Sequence, residues 1–274
     1  MKTNKADKDT AILIMKKLLA SLLFLFVSQV FALDVEQNPE IEKLFDEAGV
    51  KGCFVLYDLN ADRLIVHDLL RAEKRFIPAS TFKIANSLIG LSTGAVSSVD
   101  EVLPYGGKPQ PFKFWEQDMG LRDAIRVSNV PVYQELARRI GLDRMRENLA
   151  AIPYGNTETG VEVDTFWLKG PLKISALEQT RFLARLAQGS LPFPAETQQS
   201  VREILHLEQD DDWVLYGKTG WTTTPDPDIG WWVGWVVKDG HVFSFALNID
   251  MPERVDVAKR MELGKAALKS LGIL

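Results

Sequence analysis

Cysteine and histidine are scarce in this sequence, which has one cysteine and three histidines among its 274 residues. A lone cysteine cannot form an internal disulfide, and Cys53 lies in an apolar strand pattern, where a free thiol is typically a packing residue. His67, His206 and His241 fall in no motif, and no spacing of His, Cys or carboxylate residues is typical of a metal site. The sequence therefore predicts neither a disulfide nor a metal centre.

Positive charge is also in short supply, since the formal net charge is −5 at pH 7. Proteins that bind nucleic acid or anionic lipid carry basic patches, and this sequence has none. We therefore expect neither kind of partner. The hydrophobic content of 46% over 274 residues is sufficient for one large domain or two lobes.

The apolar run near the N-terminus is shorter than the roughly 20 residues that a membrane-spanning helix needs. It covers residues 18–30 and follows two lysines, a pattern typical of a secretory signal peptide. We predict that residues 1–32 are a signal peptide cut after Ala32, that Met15 is an alternative start, and that the protein is exported to the periplasm without stable membrane insertion. Cleavage would remove five lysines and two aspartates and leave a net charge of −8.

Strand patterns occur at both ends of the chain, and helical patterns lie between them. Because sheet edges and helix faces must be covered, we expect the two ends to meet in one sheet. The predicted fold is α/β in an α+β arrangement, with an antiparallel sheet of five or more strands, flanking N- and C-terminal helices and an inserted helical lobe. Residues 33–274 would form a single domain, with the sheet lobe at 33–79 and 206–274 and the helical lobe at 80–205. Clefts between lobes favour ligand sites.

The junction between these lobes carries a serine and a lysine three residues apart, Ser80 and Lys83, at the start of an apolar helix that Pro78 opens. Residues i and i+3 share a helix face, so the hydroxyl and the amine would project toward one spot. A serine becomes a good nucleophile when a neighbour takes its proton, and a buried lysine can do so because burial lowers its pKa. The pair is typical of nucleophilic catalysis, but S-x-x-K also occurs by chance as a helix cap with a solvated lysine, so the other motifs decide.

Two further short motifs follow, Ser128-x-Val130 in a loop between helical patterns and Lys218-Thr219-Gly220 at the end of a strand pattern. The combination of the three is far more specific than any one of them. With these motifs the chain resembles the class D, or OXA-type, serine β-lactamases over nearly the whole mature sequence. The matching segments are P-A-S-T-F-K at 78–83, S-x-V at 128–130, Y-G-N at 154–156, F-W-L at 166–168, K-T-G at 218–220 and W-W-V-G-W at 231–235.

The resemblance implies hydrolysis of a small-molecule β-lactam through an acyl-enzyme on Ser80. It implies that Lys83 reacts with carbon dioxide to form N6-carboxylysine, which acts as the general base, and that no other cofactor and no metal are needed. Only an unprotonated amine adds carbon dioxide, so a lowered pKa of Lys83 is a precondition. Ser128 would pass a proton to the departing lactam nitrogen.

The resemblance also assigns supporting roles. Trp167 would donate its indole N–H to the carbamate, and Val130 and Leu168 would line the pocket around it. The backbone N–H groups of Ser80 and Trp221 would form the oxyanion hole. The residues implied to bind the substrate are Lys218, Thr219, Gly220, Trp221 and Arg260, of which Lys218, Thr219 and Arg260 would hold its carboxylate.

Two alternatives share parts of this pattern. A cell-wall peptidase and a penicillin-sensing domain also form acyl-enzymes but do not turn over β-lactams. The F-W-L motif and the compact length argue against the peptidase, and the single short apolar run argues against a sensor, which follows several spanning helices. The loop between Trp221 and Asp228 departs from the family pattern and would affect access to the oxyanion hole.

Overall fold

A seven-stranded sheet forms the centre of the computed structural model, which describes residues 34–224, 226–253 and 257–274. The strands are β1 (Asp34–Glu36), β2 (Gly52–Asp58), β3 (Arg63–His67), β4 (His206–Gln209), β5 (Trp213–Thr222), β6 (Asp228–Lys238) and β7 (His241–Met251). Their order in the sheet is β1-β3-β2-β7-β6-β5-β4, so strands from both ends of the sequence lie side by side. The predicted fold class is confirmed.

The prediction of a purely antiparallel sheet is wrong at one edge. β1 pairs with β3 in parallel, whereas all other neighbouring strands are antiparallel. The hairpin of β2 and β3 leaves only the outer edge of β3 open at this end of the sheet. Because a helix separates β1 from β2, β1 reaches that edge running in the same direction as β3. The sheet is therefore mixed.

Ten α-helices and two 3₁₀ turns occur in the described part of the chain. The helices are α1 (Pro39–Ala48), α2 (Leu69–Glu73), α3 (Lys83–Ser92), α4 (Leu121–Arg126), α5 (Val130–Ile140), α6 (Leu142–Ala151), α7 (Phe166–Lys169), α8 (Ala176–Ala187), α9 (Ala195–Ile204) and α10 (Lys259–Ser270). The 3₁₀ turns are Ala79–Phe82 and Lys113–Trp115. Most helices thus lie between β3 and β4 in sequence, as the helical patterns indicate.

Helix α1 shows how the local sequence fixes an element. The Asn38 side chain accepts hydrogen bonds from the first turn, Pro39 occupies the first helical position, and Gly49 ends the helix with φ 62°. Ile41 and Phe45 are buried on the face that meets the sheet. The predicted helix is confirmed.

Helices cover both faces of the sheet. α1 and α10 pack against each other, and their side chains share a core with Trp232 of β6 and Phe245 of β7. α8 packs against β2, β6 and β7. The sheet is consequently the middle layer of three, and its central strands are buried on both sides.

The strands at the C-terminal end differ from the sequence pattern in their lengths. The hairpin between β6 and β7 turns at Asp239 and Gly240, both with positive φ, and Asp-Gly is a dipeptide typical of such turns. β5, however, continues through Lys218-Thr219-Gly220 to Thr222, whereas the sequence pattern puts this motif at the end of the strand. Gly220 looks like a strand end in sequence, yet it pairs with Trp231 as part of the ladder. The K-T-G motif therefore lies on a rigid strand.

Cys53 is buried in β2, and burial raises the pKa of its thiol to about 12, in keeping with a packing role. No helix in the described ranges is both long and apolar enough to cross a membrane. The predicted signal peptide at residues 1–32 lies outside the described residues.

Candidate active site

A short 3₁₀ turn, Ala79–Phe82, presents Ser80 at the start of α3. The sequence predicts one continuous helix here, but the turn precedes the α-helix because Ala79 adopts a left-handed backbone with φ 48°. Residues 81–90 are all buried, whereas Ser80 is partly exposed. The backbone therefore places the Ser80 hydroxyl at the surface while the following helix is enclosed.

Lys83 lies directly beneath this hydroxyl. Its Nζ donates to Ser80 Oγ at 2.8 Å, and its side chain is fully buried. Burial, and then the neighbouring charge of Lys218, hold the pKa of Lys83 well below its usual value. Burial therefore favours the neutral form of the amine, which has a lone pair that can accept a proton.

The pocket around Lys83 is aromatic. Its Nζ lies 5.3 Å from the centroid of the Tyr133 ring on α5, and Phe82 packs against Trp167 of α7 with centroids 5.4 Å apart. Trp167 is fully buried, and its Nε1–H finds no hydrogen-bond partner among the described residues. An unpaired buried donor is uncommon and indicates a site for an acceptor group.

The two other predicted pocket residues are only partly buried. Val130 begins α5, the helix that carries Tyr133, and Leu168 follows Trp167 on α7. The structure thus places both on helices that carry aromatic residues described above, Tyr133 and Trp167. Their role as pocket lining stays a prediction.

Ser128 meets Lys218 across the cleft. Lys218 Nζ donates to Ser128 Oγ at 2.7 Å and to the carbonyl of Thr219 at 3.1 Å, and it lies 3.4 Å from Thr219 Oγ1. Burial, and then the charge of Arg260, lower the pKa of Lys218 to about 7. Ser128 and Lys218 can therefore exchange a proton near neutral pH.

The loop that holds Ser128 has support that the sequence motif does not reveal. Ser128 adopts φ 57°, an uncommon conformation for a serine. Trp115 Nε1 donates to the carbonyl of Val127 at 3.0 Å, and Asn129 Nδ2 donates to the carbonyl of Trp115 at 3.2 Å. Asn129 Oδ1 also accepts from Val132 N at 3.0 Å and caps α5. The middle residue of S-x-V thus anchors the loop, and its cap position before a helix is the signal that could have found it.

Gly220 allows β5 to lie against the turn that carries Ser80. A Cβ atom at this position would lie 2.9 Å from the carbonyl oxygen of Pro78 and 3.0 Å from Thr81 Cγ2. Only a glycine lets the two backbones approach this closely without a shift. The K-T-G strand and the nucleophile turn are in this way packed together.

Arg260 reaches the same strand from α10. Its Nη1 donates to the carbonyl of Gly220 at 2.6 Å and its Nε to the carbonyl of Val257 at 2.9 Å. Arg260 is buried, and burial lowers the pKa of its guanidinium to about 10, so it stays charged at neutral pH. The guanidinium is therefore fixed beside K-T-G.

Trp221 follows Gly220 on β5, and its Nε1 donates to Asp228 Oδ2 at 2.7 Å. This bond closes the base of the loop between β5 and β6. The predicted residues Ser80, Lys83, Ser128, Lys218, Thr219, Gly220, Trp221 and Arg260 thus come together from five separate elements or loops. Within the described ranges, no group of three or more His, Cys, Asp or Glu residues could hold a metal ion.

Comparisons with known proteins agree with this geometry. Residues 47–269 match the family described as "Penicillin binding protein transpeptidase domain". The chain is 38% identical to β-lactamase OXA-5 of Pseudomonas aeruginosa over 264 residues, covering 95% of this chain and 99% of that one. It is 40% identical to β-lactamase OXA-2 of Salmonella typhimurium over 242 residues, covering 87% and 86%.

Two solved structures that are similar to this chain are both class D β-lactamases. The crystal structure of FUS-1 (OXA-85), a class D β-lactamase from Fusobacterium nucleatum subsp. polymorphum, matches with a TM-score of 0.85 at 44% identity, covering 87% of this chain and all of that one. The chain belongs to the class D β-lactamases. A class D β-lactamase from Nostoc, YbXI, matches with a TM-score of 0.84 at 41% identity, covering 85% of this chain and 99% of that one. The resemblance noted in the sequence is confirmed.

Membership in class D weighs against the two alternatives, the sensor domain and the cell-wall peptidase. The relatives named above are β-lactamases, and each is covered over at least 86% of its length. The roles of individual residues in this class D chain stay predictions, which the geometry described above supports.

Proposed function

We propose that this protein hydrolyses the amide bond of β-lactam antibiotics through an acyl-enzyme on Ser80. The observation that carries this proposal is the contact of 2.8 Å between Ser80 Oγ and Lys83 Nζ, together with the burial that lowers the pKa of Lys83 and so favours its neutral form. A hydroxyl and an unprotonated base in contact, at the mouth of a buried pocket, form an activated nucleophile.

In acylation, Ser80 Oγ would attack the lactam carbonyl carbon while the general base at Lys83, the carboxylate that carbon dioxide would form on its Nζ, accepts the hydroxyl proton. The bond from that carbon to the lactam nitrogen then breaks. Ser128 Oγ would give its proton to the nitrogen and regain one from Lys218 Nζ, which lies 2.7 Å away. The backbone N–H groups of Ser80 and Trp221 would stabilise the charge on the carbonyl oxygen.

In deacylation, a water molecule adds to the ester carbon, the bond to Ser80 Oγ breaks, and a proton returns to Ser80. N6-carboxylation of Lys83 by carbon dioxide would supply a carboxylate base for this water. Trp167 supports such a group, because its Nε1–H is buried and unpaired among the described residues and its ring packs against Phe82, the residue before Lys83. Val130 and Leu168 would limit the entry of other water.

The substrate carboxylate would be held by Lys218, Thr219 and Arg260. Two of these groups carry positive charge at neutral or mildly acidic pH, and all three lie on or against the K-T-G strand. Fixed donors that need no rearrangement bind an anion strongly. In this arrangement the lactam carbonyl would lie toward Ser80 and the carboxylate toward α10.

The closing test is steady-state hydrolysis of a chromogenic cephalosporin by protein that begins at Leu33, with and without added bicarbonate. Many turnovers per enzyme, faster with bicarbonate, are expected from a β-lactamase with a carboxylated Lys83. Turnover that is indifferent to bicarbonate, after carbon dioxide has been removed by degassing at mildly acidic pH, would reject the carboxylation. A single stoichiometric burst in both conditions would instead favour the sensor or peptidase alternative.

We further propose that residues 1–32 are removed on export to the periplasm, leaving 33–274 as the single catalytic domain. The apolar run at 18–30 and the small residue Ala32 support this proposal. N-terminal sequencing of the protein recovered from the periplasmic fraction should give Leu33 as the first residue. Recovery of the protein only with membranes, or with the N-terminus intact, would contradict it.

A further inference from the structure

The turn that carries Ser80 is held in an uncommon backbone conformation. Ala79 has φ 48°, although a residue with a Cβ atom rarely adopts this region. Such a conformation persists only where the surrounding structure holds it from several sides. The contacts that hold Ala79 are therefore candidates for a role in orienting Ser80.

Thr81 makes the closest of these contacts. Its side chain is fully buried, and its Oγ1 donates to the carbonyl of Pro78 at 2.8 Å. The bond joins the residues on either side of Ala79 and Ser80. It therefore closes the turn around the nucleophile.

The same hydroxyl is fixed from a distant element. Gln179, fully buried on α8, donates from its Nε2 to Thr81 Oγ1 at 2.8 Å. Because Thr81 Oγ1 accepts this bond, its own proton is directed to Pro78. Gln179 thus fixes the direction in which the Thr81 hydroxyl donates.

Two further contacts hold neighbouring parts of the turn. Trp231 Nε1 on β6 donates to the carbonyl of Ile77 at 2.9 Å. The space beside Gly220 on β5 is filled by Thr81 Cγ2 and the Pro78 carbonyl. The turn is consequently anchored to α8, β6 and β5, and Thr81 takes part in two of the three anchors.

We propose that Thr81 and Gln179 are positioning residues for acylation. They keep the Ala79–Ser80 peptide in one orientation, in which Ser80 Oγ points at Lys83 and the Ser80 N–H points at the substrate carbonyl. The inference rests on the proposed function, because it concerns Ser80 as a nucleophile. Neither side chain is proposed to touch the substrate. Without these two side-chain hydrogen bonds, fewer contacts oppose relaxation toward negative φ at Ala79, and the Ser80 hydroxyl and N–H spend less time in their working positions.

The test compares the rate of acylation in matched variants, measured as the appearance of the covalent adduct by rapid-quench mass spectrometry. Thr81→Val keeps the shape of the side chain but removes both hydrogen bonds, and the rate constant at saturating substrate should fall roughly 10- to 100-fold. The substrate concentration for half-maximal rate should change much less. Thr81→Ser keeps the hydroxyl and should restore most of the rate.

Gln179→Ala should lower the acylation rate like Thr81→Val, and the double variant should be little worse than either, since both remove the same link. Gln198→Ala is the matched control. Gln198 is an equally buried amide, but it bonds to backbone groups of Leu191 and Phe193. Its loss should lower the melting temperature and leave the acylation rate of the folded protein unchanged.

Wild-type acylation rates in folded Thr81→Val, or equal losses in Thr81→Val and Thr81→Ser, would overturn the inference. So would a loss in Gln198→Ala as large as that in Gln179→Ala, since the effect would then follow stability alone. The readout is adduct formation rather than turnover, so it applies equally if the protein acylates without turning over. A wild-type protein that forms no adduct at all would reject the proposed function and this inference together.

Discussion

At the scale of single residues, the proposed chemistry depends on the contact between the Ser80 hydroxyl and the Lys83 amine. Removing the hydroxyl tests this dependence. Ser80→Ala should form no covalent adduct with a penicillin, because no other nucleophile is proposed to contact Lys83 Nζ. Intact-protein mass spectrometry measures the adduct directly. Ser92→Ala, at the other end of the same helix, is the control and should still gain the mass of the substrate. An adduct on Ser80→Ala would contradict the assignment.

The charge state of Lys218 predicts a pH dependence of substrate binding. Its pKa is lowered to about 7, so the ammonium is present below that pH and is lost above it. An uncharged amine attracts a carboxylate less, so KM for a penicillin should rise as the pH increases from about 6 to about 8.5. The methyl ester of the same penicillin has no carboxylate, and its KM should stay level. A rise of equal size for the ester would show that another group is responsible.

Arg260 is predicted to act on binding more than on chemistry. Arg260→Ala should raise KM for carboxylate-bearing lactams about 10- to 100-fold, the equivalent of about 1.5–3 kcal/mol for a hydrogen bond to a charged group. The value of kcat should change less, because the guanidinium lies on Gly220 rather than on Ser80. Lys269→Ala, exposed on the same helix, is the control. An unchanged KM in Arg260→Ala would remove this residue from the binding site.

Residue identities could be predicted from the motifs, but their mutual geometry could not. The pairing of Ser128 with Lys218 depends on φ 57° at Ser128, and that of Ser80 with Lys83 depends on φ 48° at Ala79. Local propensity gives no sign of either conformation, because both are imposed by contacts from distant parts of the chain. For the same reason the role of Gln179 could not be predicted, whereas the cap position of Asn129 before α5 is a signal that the sequence does carry.

Among the elements, helices were easier to predict than short strands. Helices α1 and α8 begin at side-chain caps, Asn38 and Ser175, which are typical helix-start signals in a sequence. β1 and β4 were missed, because β1 has three residues and all four residues of β4 are exposed, so neither has an alternating apolar pattern. Such edge strands are recognised by their pairing, which the sequence does not show.

The start of α8 deserves a test of its own because this helix carries Gln179. Ser175 and Glu178 form a capping box, in which Ser175 Oγ accepts from Glu178 N at 3.2 Å and Glu178 Oε2 accepts from Ser175 N at 2.9 Å. Ser175→Ala should lower the free energy of unfolding by about 1 kcal/mol. Urea denaturation followed by circular dichroism measures this loss. Ser200→Ala, inside α9, should be neutral or slightly stabilising, since alanine is the better helix former.

At the scale of the whole molecule, the site exists because the first and last parts of the chain share one sheet. β2 pairs with β7, so segments about 190 residues apart in sequence are neighbours in the sheet. The sequence predicts that strands from both ends of the chain share one sheet, because sheet edges and helix faces must be covered. It does not predict the parallel β1, because three residues at an edge bury too little to leave a pattern.

The hydrogen bonds of Arg71 join the N-terminal part of the sequence to β7. Removing them measures how much this contact contributes to the free energy of unfolding. Arg71 on α2 donates from Nη2 to Asp250 Oδ1 at 2.6 Å and from Nε to Asn248 Oδ1 at 2.9 Å, both on β7. The exposed fractions of the Arg71 and Asp250 side chains are 14% and 21%, so water replaces the lost bonds poorly. Arg71→Ala should therefore lower the free energy of unfolding by about 2–3 kcal/mol.

The matched control for this link is Arg122→Ala. Arg122 makes two hydrogen bonds to Asp100, at 2.7 and 3.1 Å, but the exposed fractions of these two side chains are 46% and 63%. Surface pairs of this kind contribute little, so the urea midpoint of Arg122→Ala should be close to that of the wild type. Equal midpoints for the two variants would mean that the closure of the sheet depends on apolar packing and on the strand ladder, with no measurable share from the Arg71 link.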